Sequence, residues 1–361
     1  MRKPTHQWET PTARARREDA LPPGWEGHAR AESFRLDYGD GRVGRATFSV
    51  DRQEVDAVVA DDAGVVLAAK CWVAARGGRA LDLRGPGGVI DVGPFAIADL
   101  ARPAHSEARR IITLAPSNAE VVDALGAFDR VIACEDSSDH PPAVASLERL
   151  GPDLGPDLDR VAALSPDLVL SSLSVPGMER VVTGLVVRGV PQLVLAPRSL
   201  SDVRADIARA AEALGLADIG RAVVADMRAQ EAELRAACSG EPTPVYLEWW
   251  PKPMFTPGAD CYSNELIALA GGRNVFGDRP GSSLEVQAAE VVEADPAVCF
   301  VSWCGVAEDK LDPQNLIQRA GLESLEAARR GRVYRLDEAF SGRPGPRMLE
   351  AARRMAAAIR G

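Results

Sequence analysis

Residues 160–170 read Arg-Val-Ala-Ala-Leu-Ser-Pro-Asp-Leu-Val-Leu, and residues 290–300 read Glu-Val-Val-Glu-Ala-Asp-Pro-Ala-Val-Cys-Phe. Each stretch reads as a short helix, a proline, and then an apolar run of buried-strand length. The shared grammar suggests two similar lobes, although αβ units also match at this level by chance, so the echo alone leaves duplication open. Outward from the first copy, strand-like runs fall at residues 111–114, 131–133, 168–170 and 193–195. Helical patterns precede the last two, and Ser117 or Asn118 can cap the helix after the first. This alternation implies a largely parallel sheet with helices on its faces. Between residues 201 and 238 the strands stop. Val203, Ile207, Ala211 and Leu214, then Val223, Met227, Leu234 and Cys238, fall at helical spacing. Gly215 and Gly220 suggest a break between a shorter and a longer helix. Strand-like runs resume at residues 245–247, 297–301 and 333–334, and a helix around 346–359 closes the pattern.

The amino-terminal third is written differently. Residues 1–30 are polar and rich in Arg and Pro, which reads as a mobile tail. From residue 31 to 108, short β-type runs alternate with turn signals such as Gly39-Asp40-Gly41 and Gly85-Pro86-Gly87-Gly88. The expected fold is α/β: two α/β lobes, residues 109–200 and 241–361, bridged by helices at 201–240 and preceded by a small antiparallel β module at 31–108. A length of 361 residues suits several cores better than one. A cleft between two such lobes is a natural seat for a small molecule.

The composition, 46% hydrophobic and 26% charged, is that of a globular protein. A net charge of −10 opposes a phosphate-backbone partner, so no nucleic acid is expected. No apolar stretch of 18 residues is uninterrupted, so the chain is not expected to span a membrane. Its first residues contain no apolar run of signal-peptide length, and its six cysteines, at 71, 134, 238, 261, 299 and 304, lack zinc-site spacing. These two features give an expectation of cytoplasmic residence without a structural metal.

P-loop, metalloprotease and nucleophile-elbow motifs are absent, and the four histidines at 6, 28, 105 and 140 are scattered. No catalytic residues are expected. Ser117 and Asn118, where a strand meets a helix, can present backbone N–H groups to an anion or simply cap the helix. His140 lies in the turn Ser137-Ser138-Asp139-His140-Pro141-Pro142, where an imidazole either faces solvent or touches a ligand or its metal. Trp249 and Trp250 directly follow a strand and cannot both enter one core face. Trp303 and Cys304 follow another strand. Aromatic walls of this kind suit a large planar ligand, and ordinary core packing is the competing reading.

Five of these segments occur in an order that carries a resemblance. They are Arg110-Ile111-Ile112-Thr113-Leu114-Ala115-Pro116-Ser117-Asn118-Ala119-Glu120, Ser138-Asp139-His140-Pro141-Pro142, Ser165-Pro166-Asp167-Leu168-Val169-Leu170, Phe255-Thr256-Pro257-Gly258, and Ala270-Gly271-Gly272-Arg273-Asn274-Val275-Phe276. The chain resembles the cobalamin and iron-chelate substrate-binding proteins of ABC importers over about residues 109–361. It is most similar to the cobalamin-binding branch, which also has a segment like Gly342-Arg343-Pro344-Gly345-Pro346-Arg347. The resemblance implies two α/β lobes bridged by a long helix. It also implies binding of cobalamin, or a related corrinoid or metal chelate, without turnover and with no resident cofactor. Ser117, Asn118, His140, Trp249, Trp250, Thr256, Trp303, Cys304 and Arg343 are the expected lining. An importer permease is the implied partner. Asp159 matches the docking acid of the first lobe, whereas the echo puts Ala289 at the second position with Glu290 one residue on. Haem or iron-siderophore binding, a cytoplasmic cobalamin-handling enzyme, and a ligand sensor are the alternatives.

Overall fold

The computed structural model describes the strand backbones of the first 106 residues and then residues 107–361, apart from Pro176 and Ser239. Eight strands are described before residue 107. They are β1 (Arg14–Glu18), β2 (Glu32–Asp37), β3 (Val43–Ser49), β4 (Asp56–Asp61), β5 (Val66–Ala68), β6 (Trp72–Arg76), β7 (Ala80–Gly85) and β8 (Gly88–Ile90). The first five form one antiparallel sheet in sequence order, and the last three form another. Arg14–Glu18, placed in a mobile tail by the sequence reading, is thus a strand paired with β2: backbone pairing supplies what its polar composition hides. Nearly all of the remainder of the tail lies outside the described residues.

Beyond residue 107 the chain runs β9 (Ile111–Thr113), α1 (Pro116–Ala124), β10 (Val131–Cys134), β11 (Glu148–Arg149), α2 (Leu158–Ala163), β12 (Leu168–Ser172), α3 (Glu179–Val187) and β13 (Gln192–Leu195). There follow α4 (Leu200–Ala213), α5 (Ala217–Ala237), β14 (Thr243–Glu248), β15 (Trp250–Pro251), β16 (Met254–Pro257), α6 (Ser263–Leu269), β17 (Gly272–Asn274) and β18 (Ser283–Val286). The chain ends through α7 (Ala288–Ala294), β19 (Val298–Val301), α8 (Gln314–Ile317), α9 (Glu326–Arg329), β20 (Val333–Arg335), α10 (Glu338–Ser341) and α11 (Leu349–Arg360). It divides into two compact units. One comprises Met1–Ala115, Arg130–Asp136 and Ser146–Leu195; the other comprises Pro116–Asp129, Ser137–Ala145 and Ala196–Gly361. Helix α1 and the turn that carries His140 therefore fall in the second unit, although the sequence reading set them within residues 109–200.

The first unit holds a parallel sheet of order β11-β10-β9-β12-β13. Strands β9 and β12 are buried along their whole length, as a sheet covered on both faces requires. Ile112, Val169, Val161, Val181 and Leu185 build one of its cores.

The second unit holds a parallel sheet of order β17-β14-β19-β20 and a small antiparallel one of order β15-β16-β18. Four strands of each parallel sheet have the same order, β10-β9-β12-β13 against β17-β14-β19-β20. The echo also has a backbone counterpart just before each proline. Ser165 and Asp295, each just before its proline, both take a left-handed conformation, at φ 48° and 36°. A left-handed residue followed by proline ends a helix and turns the chain into the next strand. The two repeats thus stop α2 and α7 by one device.

Helix α5, 21 residues long, packs against α4, α6 and α11. Gly215, at φ +71°, makes the expected break after α4. Gly220 does not. It lies inside α5, where a Cβ would come 2.4 Å from the Cβ of Ala211, so its role is close approach between two helices. An Arg204–Glu231 ion pair ties the same two helices together.

Candidate functional site

In the second unit, the carboxyl ends of β14 and β19 carry four of the residues singled out by sequence, Trp249, Trp250, Trp303 and Cys304. The last residue of β14, Glu248, is 0% exposed, and four donors converge on its carboxylate. Arg319 forks onto it, with Nη2 2.6 Å from Oε1 and Nη1 bonded to Oε2. The Trp303 indole donates at 3.0 Å and the Tyr246 hydroxyl at 3.2 Å. Trp303 is accordingly a core residue, packed with Tyr246, Met254, Phe276 and Val286, rather than an open wall. A buried carboxylate needs donors, and this indole is one of them. Thr256 is likewise closed off: it is fully buried, and its hydroxyl donates to the Leu247 carbonyl at 2.8 Å, pinning β16 to β14.

The adjacent indoles diverge as the extended backbone requires. Trp250 is 41% exposed, with its N–H bonded to the Lys252 carbonyl. Trp249 is half-buried, and its indole N–H is buried without a hydrogen-bond partner. The exposed Cys304 follows β19 and donates its backbone N–H to the Trp249 carbonyl, so Trp249, Trp250 and Cys304 share one edge of the sheet. Ligands in open α/β sheets sit outside this carboxyl edge. At the same edge of its own sheet, the first unit exposes Leu154, after β11, and Val175, after β12. Both were missed in sequence, because lone apolar residues in loops carry no pattern.

A second group gathers around Arg343. Its guanidinium forks onto Asp139, with Nη2 3.0 Å from Oδ2 and Nη1 bonded to Oδ1. It also reaches Glu120 Oε1 at 3.2 Å and faces Glu338 Oε2 at 3.4 Å. Arg347 donates to the same Glu120 oxygen at 2.9 Å, while the other oxygen, Oε2, is buried with no partner. Three carboxylates thus face two guanidiniums, Glu120 deep in the protein and Asp139 at its surface. Burial pushes the Glu120 carboxyl up to about 7, against the pull of Arg347 and Arg343. Burial also raises that of Glu338, whereas the hydrogen bond from Arg343 holds Asp139 low. Sequence reasoning named only Arg343 as a site residue, yet Glu120, Asp139 and Arg347 stand inside the quoted motifs.

His140 is about a third exposed, with Nε2 3.5 Å from Asp123 Oδ2. Burial, followed by the charge of Arg347, lowers its pKa against the opposing carboxylates of Asp123 and Asp139. Both causes favour the neutral imidazole, the form that coordinates a metal. Ser117 and Asn118 open α1 but are buried, at 4% and 1% exposure. Among the described residues, no group of three or more His, Cys, Asp or Glu side chains could hold a metal ion, and no helix is long and apolar enough to cross a membrane. Of the two expected docking acids, Asp159 is 85% exposed in the first turn of α2 and paired with Arg188 Nε at 2.9 Å. Glu290 is spent locally, accepting the Gln287 backbone N–H at 2.7 Å and Arg279 at 2.8 Å.

A duplicated α/β sheet with an aromatic carboxyl edge is the build of a small-molecule binding protein. The chain belongs to the periplasmic binding protein family, whose model matches residues 111–340. It is 27% identical over 247 residues to the vitamin B12-binding protein of Photorhabdus laumondii, covering 68% of this chain and 86% of that protein. It is 26% identical over 260 residues to an uncharacterized ABC transporter substrate-binding lipoprotein of Bacillus subtilis, covering 70% of this chain and 80% of that one. Two solved structures are similar at a TM-score of 0.62 and 25% identity, each covering 70% of this chain and 97% of its own. They are the periplasmic vitamin B12-binding protein of Vibrio cholerae and a periplasmic heme-binding protein from Roseiflexus in its apo form.

The family is one of binding proteins, and the chain is a non-enzymatic substrate-binding protein. The expectation of cytoplasmic residence is overturned, because the similar proteins are periplasmic or a lipoprotein and hence exported. The cysteine argument behind it fails physically. Cys134, Cys261 and Cys299 are buried, and a thiol sealed in a core persists unpaired in any compartment.

Proposed function

We propose that this exported chain binds cobalamin or a closely related corrinoid and delivers it, unchanged, to an importer permease. The observation that carries this reading is the Trp249-Trp250 edge: an exposed indole face beside a buried indole N–H with no partner, at the carboxyl end of β14. A macrocycle stacked there covers apolar area that is otherwise wet. The similarity to vitamin B12-binding proteins supports the same ligand class. Asp159, prominent on its helix, is the acid proposed to meet the permease, and the engagement of Glu290 argues against a symmetrical pair. Haem is the second reading, favoured by the neutral, part-exposed imidazole of His140 and by the heme-binding relative.

An absorbance titration with cyanocobalamin, hemin and a ferric siderophore distinguishes these readings. Saturable binding of the corrinoid, with the other two weaker, is the expected result, and saturation by hemin alone overturns it. Burying a large aromatic face contributes on the order of 2 kcal/mol, more than tenfold in affinity. One neutral hydrogen bond contributes about 1 kcal/mol. Trp250→Ala is therefore expected to weaken corrinoid binding more than tenfold, and His140→Ala less. A larger loss at His140, with a changed spectrum of the bound chelate, would assign the imidazole to the metal instead.

A further inference from the structure

The donors of Arg343 are directed at the protein itself. Its side chain is only 10% exposed, and the carboxylates it meets come from three places: Glu120 in α1, Asp139 in the turn before Pro141, and Glu338 in α10. The residue before it completes the fit. A Cβ at Gly342 would lie 2.6 Å from Glu338 Oε1, so a larger residue there would displace that carboxylate from its present place beside Arg343. Arg347, whose guanidinium lies 5.0 Å from the Phe340 ring centroid, holds Glu120 from the other direction. Asp139 is different in kind: its side chain is 62% exposed, yet both of its oxygens are taken by one guanidinium. A bidentate fork fixes orientation as well as position. The next residue is His140, and Asp123, three residues after Glu120 on the same face of α1, stands 3.5 Å from its imidazole. One helix face and one arginine therefore grip consecutive residues of the turn.

We infer that Arg343 is a positioning residue that clamps the Asp139-His140 turn, and that it does not itself contact the ligand. This rests on the reading above that the second unit binds a metal chelate. It reverses the role that sequence gave to Arg343, because a guanidinium spent on three carboxylates has little left to offer the anionic groups of a ligand.

The test uses the full chain as wild type, Asp139→Asn, Arg343→Met and the double variant. Each is titrated with cyanocobalamin and hemin, and the imidazole signals of His140 are followed by NMR, assigned with His140→Gln. If Arg343 acts through the turn, each single variant loses about tenfold in affinity and shifts the His140 signals alike, and the double variant loses no more than either. Were Arg343 instead a ligand contact, Asp139→Asn would free its guanidinium, and unchanged or tighter binding by that variant overturns the inference. Asp139→Asn alone decides the matter should Arg343→Met fail to fold. If wild type binds neither chelate, the functional reading falls, but the clamp is still judged: like shifts of the His140 signals in Asp139→Asn and Arg343→Met uphold it, and unmoved or opposite shifts, the sign of direct charge effects alone, reject it.

Discussion

Arg319→Met is expected to cost about 3–5 kcal/mol of folding stability, because it strands a carboxylate in the core. Glu248 has no exposed surface, and Arg319, itself 15% exposed, supplies both prongs of the fork that neutralises it. The Trp303 and Tyr246 donors would remain, but neither carries a charge. A lone ion in a medium of low dielectric loses several kcal/mol of hydration that two neutral hydrogen bonds do not restore. Denaturant midpoints of the wild type, Arg319→Met, and the double variant Arg319→Met with Glu248→Leu measure this. The double variant is expected to recover much of the loss, since removing both charges removes the desolvation problem. An unchanged midpoint for Arg319→Met would mean that the fork contributes nothing beyond packing. The location matters for function as well, for Glu248 directly precedes Trp249, and loosening it loosens the wall.

Glu120→Gln is expected to remove a pH dependence of about 3 kcal/mol. Burial holds the folded-state pKa of Glu120 at about 7, against an ordinary 4.5. A carboxyl raised by folding favours the folded state while protonated. Its contribution is complete below pH 4.5 and is lost as the pH rises through about 7. A shift of about 2.5 units corresponds to about 3 kcal/mol. Unfolding free energies at pH 4.5, 6 and 8 should therefore diverge, the wild type declining relative to Glu120→Gln as the pH rises. Asp206, which burial raises to about 6, titrates in both proteins and cancels in the difference. Parallel curves would show that Glu120 is charged throughout.

Much of the architecture was readable because apolar runs of strand length mark buried parallel strands wherever they fall. The runs at 111–114, 131–133, 168–170 and 193–195 are β9, β10, β12 and β13, and their order repeats in the second sheet. Short polar elements were not readable: β11 is two residues long, and β15, β16 and β18 form a ribbon whose residues lack a clean alternation. The site was harder still. Trp249 and Trp250 show themselves by adjacency, but whether Trp303 faces ligand or core depends on Glu248, 55 residues away. Arg343 meets Asp139 across 204 residues and Glu120 across 223. The motifs of residues 110–120, 138–142 and 342–347 were visible as strings, and what draws them together is the set of ion pairs around Arg343.

The exposure of Cys304 offers an optical handle. Burial pushes the thiols of Cys134, Cys261 and Cys299 up in pKa, which suppresses the thiolate that maleimides attack, and leaves Cys304 the exposed thiol among the described cysteines. Its backbone is bonded to that of Trp249. A solvent-sensitive dye coupled there would stand beside the indoles and report their covering as a change in emission, making the protein a reagentless sensor for whatever occupies that edge.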